Sequence, residues 1–177
     1  MSGRRRETVA PHVSFPRVEP IPAAASRSVL VRWMGIEDSN TAGFVHGGVV
    51  MKMCDEAAGL AAIRHAHLRV VTAGVDRMTF NEPVNLGDLV TFCASVNAVW
   101  NTSMEVGVRV EAERPGTGEK RHTSSAYITM VALDEDGRPT QVPPLLVEDQ
   151  TERRREREAQ TRRENRLKER EQLKQGE

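Results

Sequence analysis

A single run of helical periodicity followed by four runs with the character of strands constrains this chain more than any other feature. From Gly47 to His65, Val49, Val50, Met53, Ala57, Leu60 and Ala61 recur at the spacing of one helix face, which predicts a helix of about five turns. A short β-rich run, Ser28 to Trp33, precedes it. After it come Arg69 to Phe80, Leu89 to Trp100, Ser103 to Ala112 and His122 to Leu133. In the third of these, Met104, Val106, Val108 and Val110 alternate with Glu105, Arg109 and Glu111. Pro83 and Gly87, Pro115 to Gly118, and Asp134 to Gly137 supply the turns between or after them. The expected architecture is α+β: one domain with an antiparallel sheet of about five strands wrapped around one long helix. Such a sheet leaves edges to cover, which predicts a homodimer or a dimer-based tetramer or hexamer.

The 177 residues carry 25 basic and 25 acidic side chains, so overall charge points to no nucleic-acid partner. The distribution is uneven. Residues 151–177 hold ten basic and seven acidic groups, residues 1–22 four and two, and the stretch between is net acidic. We divide the chain into an extended N-terminal arm (1–26) with four prolines, a folded domain (27–148) and a charged C-terminal tail (149–177). Leu167 and Leu173 are the only large aliphatics of the tail, too few for a heptad seam, so it reads as a solvated helix or as disorder. Cys54 and Cys93 lie in apolar runs and read as buried, reduced thiols of a cytoplasmic protein. No C-x-x-C or H-x-x-x-H spacing suggests a metal, and no cofactor is expected. No run approaches the roughly 18 apolar residues that span a bilayer.

Chemistry concentrates between Asn40 and Gly59. Gly47 and Gly48, at the start of the helix, can let a carbonyl oxygen approach free backbone N–H groups, or can merely shape a tight turn. Asp55 falls opposite the Val49, Met53, Ala57, Leu60 face, among Gly48, Gly59 and Ala62. A carboxylate among small residues can take a proton from an attacking water, or can be an ordinary surface group. Asn40 reads as a water or carbonyl ligand or as a turn former. His46 reads as a base, a substrate contact or a partner for the backbone. Cys54 has no histidine at a recognisable spacing, and Ser39, Ser103 and Ser124 lack a G-x-S-x-G setting, so water is the better nucleophile.

Taken together, Asn40-Thr-Ala-Gly43, His46-Gly-Gly48 and Met53-Cys-Asp55-Glu-Ala-Ala-Gly59 resemble the helix region of the acyl-CoA hydrolases. The likeness continues through Val75 to Phe80, Pro83, Gly87-Asp88, Thr102 to Val106, Gly118-Glu119 and Ala126-Tyr127 to Val142-Pro-Pro144, and so covers about Ser28 to Pro144. The resemblance implies a hotdog fold and metal-free hydrolysis of acyl-CoA to fatty acid and CoA. It makes Asp55 the general base or nucleophile and Asn40 a contribution from the other subunit. It puts the polarising amide near Gly47 and Gly48, and the CoA nucleotide near Thr102, Ser103, Lys120 and Arg121.

Two departures stand out. Trp100-Asn101 occupies the place where many members carry a cation before the Thr-Ser pair, and this chain has one hotdog domain where some members join two. A dehydratase of the same fold is disfavoured, because Asn40 is followed by Thr41 and not by the Pro of an Asp-x-Asn-Pro-x-His stretch. The alternative is a non-catalytic protein that binds acyl-CoA.

Overall fold

A computed structural model describes residues 19–175. In chain order the elements are β1 (Ile21–Pro22), β2 (Ser28–Trp33), α1 (Gly47–Ala66), β3 (Arg69–Phe80), β4 (Leu89–Val99), β5 (Ser103–Arg114), β6 (Glu119–Leu133), β7 (Leu145–Leu146) and α2 (Gln150–Gln175). Strands β2-β4-β5-β6-β3 form one antiparallel sheet in that order, and β1 pairs parallel with β7. The expected α+β arrangement of one helix against five antiparallel strands is therefore present.

Helix α1 can lie close to the sheet because the face it buries is small. Ala57, Ala58, Ala61 and Ala62 have no exposed surface, and they meet Phe92, Met104, Val106, Val110 and Ile128 from the sheet's inner side. His67 ends the helix in the left-handed region (φ 52°), its N–H donating to the Ile63 carbonyl. Leu60, assigned by periodicity to the buried face, is exposed instead. The helix lies in a curved sheet whose contact covers only part of its circumference. Cys93 is likewise exposed, on the sheet's outer face, while Cys54 is buried.

The N-terminal arm as predicted falls mostly on residues 1–18, outside the described residues. The part nearest the domain is tied down. Ser26 is buried, its hydroxyl donating to the Ala23 carbonyl and accepting from Val96 N.

The charged tail departs most from expectation. It forms the continuous helix α2, and α2 docks across the outer face of the sheet through arginines instead of leucines. Arg155 reaches Ser95 on β4, Arg162 clasps Glu105 on β5 with two hydrogen bonds (2.7 and 3.0 Å), and Arg166 pairs with Asp76 on β3. The Arg162 guanidinium also stacks 3.6 Å from the Tyr127 ring centroid, and Trp100 receives Arg163 and donates to Gln160. Arg155 to Arg166 is eleven residues, about 16 Å of helix. The four strands from β4 to β3 span about 14 Å. Helix α2 thus crosses the strands nearly at right angles. Glu105, which alternation assigns to solvent, is 0% exposed beneath it.

Glycine matters beside this contact. A Cβ at Gly107 would stand 2.6 Å from Nδ2 of Asn97, a buried side chain that donates to Glu105 at 3.0 Å. Asn97 cannot yield without giving up that bond. Gly107→Ala is therefore expected to destabilise the protein by about 1–3 kcal/mol, read from its urea midpoint.

His65 is buried near the end of α1, its Nε2 2.9 Å from the Pro143 carbonyl and its Nδ1 without a partner among the described residues. Burial pushes its pKa below the usual 6.5; the Pro143 hydrogen bond opposes the shift and His67 adds to it. The unfolded chain takes up this proton near pH 6.5, whereas the folded chain resists it to lower pH. Stability is consequently full above the unfolded value and is lost as pH falls toward the folded one. The urea midpoint is expected to drop from about pH 7 to about pH 5, and His65→Gln, which keeps a donor for Pro143, should flatten that slope.

Candidate active site

Asp55 lies on the open stripe of α1. One oxygen, Oδ1, accepts a hydrogen bond from the Thr72 hydroxyl at 2.5 Å. Among the described residues Oδ2 has no partner, so it is available to a water molecule. The Thr72 hydroxyl also lies 3.6 Å from the Met130 sulfur. Apolar side chains on the same two elements stay open to solvent: Met51 and Ile63 on α1 are 46% and 47% exposed, and Val75 on β3 is also exposed. β3 is an edge strand with two register irregularities, so this apolar surface ends at an unpaired sheet edge. A lone carboxylate amid exposed apolar groups at a free edge marks a surface that a second body covers.

The start of α1 is built differently from the expectation of two free amides. His46 is the N-cap, and its Nδ1 accepts from Gly48 N at 3.1 Å. The Gly48 amide is thus occupied, and Gly47 N–H is left as the donor without an acceptor among the described residues. A Cβ at Gly47 would lie 3.4 Å from the Phe80 ring, an ordinary van der Waals contact, so packing does not demand glycine there. Asn40 organises the preceding loop. Its Oδ1 accepts from Ala42 N (2.9 Å) and Phe44 N (3.2 Å), which leaves Nδ2 as the free end. No hydrogen bond joins Asn40 to Asp55, which lies eight residues, about 12 Å, along the helix from Gly47.

The four outer-strand positions separate into two groups. Ser103 pairs with Val131, which pairs with Val71, so Thr102 and Ser103 sit one step from the row of Thr72. Lys120 pairs with Glu113 at the other end of β6, eleven residues and roughly 35 Å from Val131. The structure does not bring these groups together within one chain. Arg121 is moreover engaged already, donating to Asp88 at 2.6 Å and lying 3.5 Å from Glu82, while Lys120 meets Glu113 at 3.3 Å. Arg121 lies at the end of the sheet that holds the Asn40 loop, because Val45 and Phe44 bond Val84 and Asn85 next to the Pro83 and Asp88 it contacts.

Cys54, adjacent to Asp55, is unsuited to nucleophilic work: burial, with a contribution from the Asp55 charge, pushes its thiol up to about 12. Thr72 was not singled out by sequence reasoning, since a threonine in a strand carries no local signal. Only its cross-element contact to Asp55 reveals it. No cluster of metal-ligating side chains occurs among the described residues.

A helix held in an antiparallel sheet, with a carboxylate on its open stripe, defines a hotdog protein. The family model described as "Thioesterase superfamily" matches residues 42–119. A rat protein, "Cytosolic acyl coenzyme A thioester hydrolase", is 38% identical over 139 residues, covering 77% of this chain and 36% of that protein. This chain therefore spans about a third of the length of that mammalian relative. Among solved structures, an apo-hexameric acyl-CoA thioesterase superposes with a TM-score of 0.83 at 37% identity, over 86% of this chain and 97% of that one. An acyl-CoA hydrolase from Staphylococcus aureus, solved with butyryl-CoA, CoA and CoA disulfide, superposes with a TM-score of 0.82 at 31% identity, over 88% and 95%. Alanine mutants of that enzyme at an asparagine, an aspartate and a threonine have also been solved; the aspartate follows the asparagine by fifteen residues and the threonine follows the aspartate by seventeen. The chain belongs to the acyl-CoA thioester hydrolases of the thioesterase superfamily.

Proposed function

We propose that this chain hydrolyses acyl-CoA to a fatty acid and free CoA, at sites shared between two subunits. The observation that carries the reading is the Asp55–Thr72 pair on an uncovered apolar stripe. Asn40 to Asp55 is fifteen residues and Asp55 to Thr72 seventeen. These are the separations of the asparagine, aspartate and threonine replaced in the staphylococcal enzyme.

In this mechanism Asp55 Oδ2 accepts a proton from water as the water oxygen attacks the thioester carbonyl carbon. Negative charge gathers on the carbonyl oxygen, where the Gly47 amide and Asn40 Nδ2 can donate to it. The carbon–sulfur bond then breaks, the CoA thiolate leaves and takes up a proton, and the acid departs. The Thr72 hydroxyl holds Oδ1, which fixes the carboxylate's orientation and keeps Oδ2 for the water. The partner subunit would present Asn40 together with His46, Gly47 and Gly48, since these share one loop and helix start. Lys120 and Arg121 would come from the partner's end as well, while Thr102 and Ser103 belong to the end that bears Asp55. That division supports CoA lying across the subunit boundary. The hexameric assembly of the solved relative supports a dimer-based oligomer here, and the cytosolic rat relative supports a cytoplasmic location. No helix among the described residues is long and apolar enough to cross a membrane.

Release of free CoA thiol from acyl-CoAs of increasing chain length tests the activity. If acyl-CoA binds but no thiol appears above background, the chain is a non-catalytic acyl-CoA-binding protein. Sharing is tested by mixing two inactive variants, Asn40→Ala and Asp55→Asn, and allowing subunits to exchange. Each mixed dimer then holds one intact site, so about a quarter of wild-type activity is expected to return. Sites contained within one subunit would stay dead after mixing.

A further inference from the structure

We propose that Arg166 and Asp76 are positioning residues for the active site: helix α2 holds the edge strand β3 from the outer face, and so holds Thr72 against Asp55. The inference rests on the proposed mechanism, in which the Thr72 hydroxyl orients the Asp55 carboxylate. Strand β3 is loosely tied where this matters. It borders β6 on one side only, and its ladder is interrupted twice, between Thr72 and Gly74 and between Val75 and Arg77. Ala73 and Asp76 are the extra residues, without partners on β6. These bulges change which residues face α1. Thr72, Val75 and Met78 pair with Met130, Ile128 and Ala126, the buried inner residues of β6, at a spacing of three where a regular strand has two.

Unbroken alternation from Thr72 would turn Asp76 inward, onto the apolar side of the sheet. The second bulge turns it to the outer face instead, where Arg166 reaches it from 90 positions along the chain. The Asp76 side chain is 10% exposed, and among the described residues Arg166 is the one side chain bonded to it. Arg155 and Arg162 anchor α2 on β4, β5 and β6; Arg166 is the anchor that reaches β3. Without it, a carboxylate at that depth is drawn toward water, and the bulged strand is free to follow. Thr72 stands four positions away, beside the first bulge. Its bond to Asp55 is 2.5 Å long, and O–H···O bonds extend to about 3.0 Å, so a shift of about 1 Å in β3 breaks it.

Arg166→Ala is expected to lower kcat for thioester hydrolysis about tenfold with KM changed by less than about twofold, since a full 1 Å misplacement costs about 10²-fold. Arg166→Lys, which keeps a cation for Asp76, should recover most of that loss. Two readouts separate positioning from a merely structural role. Amide hydrogen exchange of the full chain should speed up across β3 in Arg166→Ala and stay at wild-type rates in β4 and β5. In a double-mutant cycle, Arg166→Ala should cost no further kcat, within about twofold, once Thr72→Val has removed the hydroxyl. Asp76→Asn weakens the pair from the other side without touching α2, and should reproduce both the kcat loss and the exchange pattern. Losses that multiply across the cycle, an Arg166→Ala that keeps more than half of wild-type kcat, or β3 exchange that is unchanged, each overturn the proposal. If the wild type releases no thiol, the hydrolase reading and the positioning role fall together; if it does and any of those results appears, the positioning role fails alone.

Discussion

Replacing Asp55 by Asn is expected to lower kcat for acyl-CoA hydrolysis by about 10²-fold or more, the low end for a lost general base, with little change in KM. An amide keeps the size of the side chain and can still receive the Thr72 hydroxyl bond, but it cannot take the proton from water. Among the described residues the Oδ1 contact to Thr72 is the one hydrogen bond of this side chain, and the side chain is exposed, so the fold has little to lose. The urea midpoint should therefore stay within about 0.5 kcal/mol of wild type, as for surface positions generally. Free-thiol release at saturating substrate measures the loss. A variant that retains more than half of wild-type kcat would remove Asp55 from the chemistry and leave water activation unexplained.

The second large effect concerns α2. Arg162→Ala is expected to cost about 3–5 kcal/mol of folding stability, because it strands a buried carboxylate. Glu105 is 0% exposed and would keep only the Asn97 amide of its present partners, at 3.0 Å. Its two guanidinium bonds, 2.7 and 3.0 Å, and the cover Arg162 gives the Tyr127 ring would go together. Equilibrium urea unfolding followed by circular dichroism reads the loss. Combining Arg162→Met with Glu105→Leu should recover most of it, since removing both charges also removes their desolvation. A single-variant loss below about 1 kcal/mol, the range of exposed ion pairs, would show that α2 does not rest on the sheet in solution.

These two sites differ in how far the sequence reveals them. Strand β3 was expected from Arg69 to Phe80 and occupies those residues; α1 and β2 agree to within one residue. Apolar spacing decided these elements because it is local: each residue reports which side of its own strand or helix meets an apolar neighbour. The Asn40 to Asp55 stretch was legible for a related reason. Gly pairs, a carboxylate among small residues and a turn-forming Asn carry their chemistry in adjacent positions.

What only the tertiary structure decided depends on residues far apart in the chain. Glu105 alternates as a solvent residue should, and is buried because Arg162 arrives from 57 positions away. The tail lacks an apolar face, so no periodicity could announce that it docks; its contacts are charged heads meeting particular carboxylates and rings. Thr72 gained its role from a hydrogen bond to another element, and Gly48 lost its free amide to the ring of His46. Strand register alone separated Thr102 and Ser103 from Lys120 and Arg121, which sequence order had brought within twenty residues of one another. Periodicity specifies which face of an element is apolar. Which polar groups meet across the fold is set by register and packing, and those depend on the whole chain at once.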